Sequence, residues 1–116
     1  MTTPKQHAWV KELPIEIMVC DTEGTILEMN AGAEVLFAGD GGLGLLGTNV
    51  IACHPEPSRT KLIGMMDKQL TNTYFFTEKG KKNFVFQSPW YQDGQYAGFV
   101  EISFSVPDEI PHFVRG

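Results

Sequence analysis

Residues 96–106 end in a strict alternation. Val100, Ile102, Phe104 and Val106 fall on one side, and Glu101, Ser103 and Ser105 on the other. A period of two is the signature of an extended strand with two unlike faces, and no helix accommodates it. Asp93-Gly94 stands just before this strand and is a strong two-residue hairpin signal, so residues 83–91 pair with it antiparallel. Lys79-Gly80 separates residues 83–91 from a further run at 72–78, Asn-Thr-Tyr-Phe-Phe-Thr-Glu. The chain therefore ends in three consecutive antiparallel strands. Pro89 has no N–H for a ladder and marks an edge or a bulge.

One face of such a sheet must be covered, and the N-terminal half supplies the cover. Residues 15–20 put Ile15, Ile17 and Val19 on one face of a strand. Asp21-Thr22-Glu23-Gly24 turns the chain into a return strand at 25–29. Asn30 suits a helix N-cap, because its side chain accepts an otherwise unpaired backbone N–H, and a short helix follows over 31–37. Gly39 to Gly47 forms a glycine-rich loop. A longer helix starts at Pro55–Ser58 and runs to about Leu70, with Leu62, Ile63, Met66 and Leu70 as its buried stripe. Ahead of all this, residues 4–12 read as a short helix opened by Pro4 and ended by Pro14. The order β-β, helices, β-β-β predicts an α+β fold: a five-stranded antiparallel sheet with helices packed on one face. The expected divisions are an N-terminal helical segment at 1–11, the domain at 12–106 and a C-terminal tail at 107–116.

The chain has 116 residues, enough for one compact core. Hydrophobic residues make up 42% and charged residues 20%, as in ordinary globular domains. The net charge is −5, and the densest basic run, Lys79-Gly80-Lys81-Lys82, is a solvated turn. A nucleic-acid partner is not expected. No apolar run approaches the ~18 residues of a membrane span, and Met1–Lys5 lacks the apolar stretch of a signal peptide. A cytoplasmic location with Cys20 and Cys53 reduced follows as the expectation.

Chemical motifs are sparse. Gly42-Leu43-Gly44-Leu45-Leu46-Gly47 matches a dinucleotide fingerprint, but it follows a helix where the motif requires a strand, so it reads as a connector. Adjacent Cys53 and His54 are poorly spaced for one metal ion and lack a third group for nucleophilic catalysis. Neither an enzyme nor a metal site is expected. His54 admits three readings: a helix-entry residue bonded to backbone, a contact to a pocket ligand, or an axial haem ligand. Met65 and Met66 read as core. Phe75, Phe76, Phe84, Phe86, Trp90 and Phe99 read as core or interface.

Three stretches together resemble a PAS domain. "IEIMVCDTEGTILEMN" followed by "AGAEVLF" resembles the opening hairpin and short helix. "LLGTNVIACHPEPSRTKL" resembles the Gly-x-x-hydrophobic stretch leading to a His-Pro helix, and "YQDGQYAGFVEISFSV" resembles the last hairpin. The likeness covers about residues 12–106 and is nearest to PAS-like domains joined to haemerythrin-like domains in bacterial and archaeal regulators. It implies a sensory or protein-interaction module enclosing a small cavity. The expected pocket residues are His54, Asn30, Phe37, Met66 and Phe86. A homodimer through Trp9 and Val10 and a protein signalling partner are also expected. The cofactor stays open, with haem on His54 as the alternative. Asn49 is followed by Val50 where blue-light members carry Cys, so a flavin–cysteine photocycle is not expected. The ending "SFSVPDEIP" lacks the family's common Asp-Ile-Thr.

Overall fold

The computed structural model describes residues 7–116. Five strands, β1 (Glu16–Cys20), β2 (Ile26–Met29), β3 (Asn72–Glu78), β4 (Lys81–Gln92) and β5 (Gln95–Val106), form one antiparallel sheet in the order β2-β1-β5-β4-β3. Among the described residues four α-helices accompany it: α1 (Ala8–Lys11), α2 (Ala31–Leu36), α3 (Val50–Cys53) and α4 (Ser58–Lys68). Of the N-terminal helix expected over 4–12, Ala8–Lys11 is helical, and positions 4–6 of that expectation lie outside the described residues. The glycine-rich loop is wound into two 3-10 turns, Ala38–Asp40 and Gly42–Leu45, and neither opens a βαβ unit. Among the described residues no helix is long and apolar enough to cross a membrane.

The hairpins form where the turn residues require them. Lys79-Gly80 takes φ values of 51° and 76°, and Asp93-Gly94 takes 52° and 79°. Two consecutive left-handed residues give the turn whose twist matches antiparallel strands. Pro89 lies beyond the β3–β4 ladder, which ends at Gln87, and the β4–β5 register slips just after it. Its missing N–H therefore leaves no gap on that side. Gly98, at φ +145°, lies against β1, and a Cβ there would strike the Cys20 carbonyl. That close approach lets the Trp90 indole N–H reach the same carbonyl at 3.0 Å.

The alternation in β5 is as read, and the covered side is the polar one. Glu16, Met18 and Cys20 of β1 lie opposite Ser103, Glu101 and Phe99 of β5, and the helices pack on this face. Ala33 of α2 packs with Met18, Ile26 and Met29. Leu62, Met65 and Met66 of α4 pack with Cys20 and Phe99, and Val50 of α3 touches both groups. Ile17, Val19, Val100, Ile102 and Phe104 face outward beside Phe75, Phe84 and Phe86. The long helix starts at Ser58, within the expected span, and a separate turn of helix, α3, which was not expected, precedes it. One expectation about the long helix needs correction. Its buried stripe is Leu62, Met65 and Met66, while Ile63 and Leu70 are exposed. Gln69 turns left-handed (φ 51°) and directs Leu70 out of the helical path.

Candidate ligand cavity

A cavity of about 590 Å³ lies between the inner sheet face, α3, α4 and the 3-10 turns. Its walls are mostly apolar: Met18, Cys20 and Phe99 from the sheet, Phe37 and Leu45 from the segment after α2, and Leu62 from α4. Polar groups enter at four places, Asp40, His54, Gln87 and Glu101. Such a mixture, apolar with a few placed polar groups, is typical of small-molecule sites.

The polar floor is a product of strand register. Asn72, Gln87 and Glu101 stand side by side on β3, β4 and β5. Asn72 Nδ2 donates to Gln87 Oε1 at 3.0 Å, and Gln87 Nε2 donates to Glu101 Oε1 at 3.0 Å. Each amide is oriented by its neighbour, so Glu101 is held in one position. Beside this row, Ser103 Oγ donates to Glu16 Oε2 at 2.6 Å. Glu16 is only 5% exposed, and its Oε1 has no hydrogen-bond partner. Burial pushes the Glu16 carboxyl up to about 8, and the negative charge of Glu101 adds to the rise, against the hydrogen bond from Ser103. Burial also raises the Tyr74 hydroxyl, with Glu101 and Glu16 adding to the effect, and raises the Cys20 thiol. Both cysteines are free.

His54 lines the cavity, yet it follows a helix where the sequence reading had it starting one. It is the C-cap of α3, and its N–H donates to the Ile51 carbonyl at 3.2 Å. Its Nδ1 lies 2.6 Å from the Val50 carbonyl. A carbonyl only accepts, so Nδ1 carries the proton and Nε2 of the neutral ring is an acceptor. Asn49 caps the same helix, accepting from Ile51 N at 2.8 Å and Ala52 N at 3.1 Å. Arg59 Nε donates to the His54 carbonyl at 2.9 Å.

Phe37 lines the cavity with His54. The other three expected residues do not. Met66 is packed in the core with Met65 and Leu62. Phe86 lies on the outer face, opposite Thr73 and Ile102. Asn30 is buried and engaged with backbone: Oδ1 accepts from Ile17 N and Ala33 N, both at 3.0 Å, and Nδ2 donates to the Ile15 carbonyl at 2.8 Å and the Val10 carbonyl at 3.2 Å. Glu101, Gln87, Asn72, Glu16 and Ser103 were not anticipated. Their polar identity at alternate strand positions was visible, but only the pairing register makes them neighbours.

No protein-family model matches the sequence, and neither does any curated protein. Solved structures do. A C-terminal domain from Streptococcus mutans aligns with a TM-score of 0.69 at 20% identity, over 86% of this chain and 81% of that one. The Aer2 receptor of Vibrio cholerae, described as a dual PAS-heme oxygen sensor, aligns with a TM-score of 0.62 at 17% identity, over 80% and 95%. The PAS domain of a Colwellia psychrerythraea protein aligns with a TM-score of 0.59 at 20% identity, over 87% and 93%. The chain has a PAS fold. Within that fold, the cavity is the space between the inner sheet face and α3–α4, with β1, β4 and β5 contributing residues to its lining.

Proposed function

We propose that this PAS-fold domain is a sensory module that binds a small molecule in the cavity beneath α3 and α4. The observation that carries the reading is the cavity itself, about 590 Å³, apolar but furnished with His54, Gln87 and Glu101, the last two held in the hydrogen-bonded row that Asn72 begins outside the lining. Three aligned polar side chains on an inner sheet face are a poor device for core packing and a good one for orienting a ligand. The signal would leave through α2. Phe37, at its C-terminal end, touches the cavity, and Asn30, its N-cap, holds the Val10 carbonyl of α1. A ligand that favours one position of α2 would bias α1, provided its affinity differs between the two positions.

Thermal unfolding with the dialysable fraction of a cell extract tests this. A bound ligand raises stability by mass action. The wild type is expected to gain melting temperature, and Leu45→Trp, which fills the cavity, is expected to gain none. An equal shift in both, or none in either, sinks the reading. Haem is the competing occupant, since the acceptor Nε2 of His54 could serve as an axial ligand. The lining suits it poorly, because its charged members are Asp40 and Glu101, with no lysine or arginine to meet the propionates. In the same samples, haemin should produce no band that depends on His54; one lost in His54→Ala would assign the site to haem.

A second copy of this chain is the partner we propose for α1. Trp9 is 62% exposed on α1, and Val10 beside it is half-buried. The groove next to α1, lined by Glu12, Leu13 and Leu36, ends at Phe104, which continues into the outward aromatic row Phe84–Phe75. Light scattering should show a dimer that Trp9→Asp weakens. A wild type that stays monomeric at high concentration would exclude the pairing.

A further inference from the structure

We infer that the cavity selects a small organic cation, a protonated amine on an apolar body seated on the Glu101 carboxylate, and that Glu16 yields a proton to solvent as the cation binds. The inference rests on the cavity reading above and goes on to name the ligand class. Charge is the first argument. The cavity lining includes two carboxylates, Asp40 and Glu101, and among the described residues it has no lysine or arginine. The groove on the other side of the acidic pair, which Glu16 lines, has none either. An anion would meet no countercharge here, whereas an ammonium would meet a carboxylate already aligned by Gln87.

The buried Glu16 oxygen is the second argument. Glu16 Oε2 is satisfied by Ser103, but Oε1 is enclosed without a donor, and the carboxyl it faces is that of Glu101. Two carboxyls in contact leave an unpaired oxygen only when both are ionised. With one proton between them, the Glu16 hydroxyl donates to Glu101 and the orphan disappears. The free acidic pair beside the cavity, Glu101 lining it and Glu16 behind, therefore holds a proton in place of a cation. Tyr74 from β3 is the other titratable group next to the pair, and Cys20, Asp40, Cys53 and His54 surround the cavity. None of them brings a permanent positive charge. A ligand ammonium on Glu101 cancels the repulsion that adds to the burial of Glu16, so Glu16 holds its proton less tightly and releases it in part to water. Affinity for the cation then rises with pH up to about 8, where the free pair has already lost its proton.

The test compares three probes of one shape: phenethylamine, phenylacetate and phenethyl alcohol. Binding is followed on the full chain by amide NMR and by calorimetry in two buffers of different ionisation heat. The amine is expected to bind about tenfold tighter than either analogue, or better, and to shift the cavity-lining amides. Its binding should release a proton at neutral pH. Glu101→Gln should erase the preference for the amine. Glu16→Gln should keep that preference and release no proton, so it decides the matter even if Glu101→Gln fails to fold. Equal binding of acid or alcohol at the same amides overturns the cation class and leaves the cavity reading standing. Proton release that persists in Glu16→Gln overturns the role of Glu16. Failure of all three probes overturns the inference as well, and the extract experiment with Leu45→Trp then decides separately whether the cavity reading falls too.

Discussion

Asn30→Ala is expected to remove on the order of 3–5 kcal/mol of folding stability, enough to unfold a small domain at physiological temperature. Asn30 is 4% exposed and joins four segments through one amide. Its Oδ1 caps α2 at Ala33 N and pairs with Ile17 N of β1, while Nδ2 serves the carbonyls of Ile15 and Val10. Loss of a helix N-cap alone costs about 1 kcal/mol. The rest comes from backbone groups left unpaired, each costing about 1–3 kcal/mol where water cannot replace the partner. Asn30→Asp separates the two halves of the role. It keeps the cap and the Ile17 bond but aims a carboxylate oxygen at the Ile15 and Val10 carbonyls. It should therefore retain α2 yet release α1, seen as faster amide exchange across Ala8–Lys11. Urea unfolding of both variants measures the cost; a loss under about 1 kcal/mol for Asn30→Ala would refute the account.

The second large effect is the pH dependence carried by Glu16. Its carboxyl sits at about 8 in the folded protein, against an ordinary value of 4.5. The native state thus holds a proton that the unfolded chain has given up, and stability falls as pH rises from about 4.5 to about 8, then levels. The drop attributable to this one group is on the order of 3–5 kcal/mol. Glu56 works in the opposite sense, since its hydrogen bonds from Thr60 lower its carboxyl, but it is fully exposed and has gained its effect before the upper part of this window. Glu16→Gln mimics the protonated acid: its amide can donate towards Glu101 and accept from Ser103. The variant is expected to match the wild type near pH 5 and to exceed it by a few kcal/mol near pH 9. Urea midpoints across this range decide it. Equal slopes for the two proteins would mean that the pair does not carry the proton.

Local signals in the sequence place most of the architecture. Strand periodicity in residues 96–106, the Lys79-Gly80 and Asp93-Gly94 turns and the cap at Asn30 each act over a few residues, and each holds in the folded chain. Together they determine the sheet, its hairpins and the helices that cover it. What they could not decide is which face those helices cover. A strand with two unlike faces looks the same in sequence whichever way it turns, and hydrophobicity alone points to Val100, Ile102 and Phe104 as the covered side. The tertiary structure covers Glu101 and Ser103, because β5 lies between β1 and β4 and takes its facing from both ladders at once. The same register brings Asn72, Gln87 and Glu101 together from positions 15 and 14 residues apart in the chain. It also places Phe86 outside and leaves Asn30 in the scaffold. His54 stood out in the sequence because it is chemically distinctive, and the fold does bring it to the cavity. The carboxylates beside the cavity floor look ordinary in sequence, and only their burial and mutual contact give them chemistry.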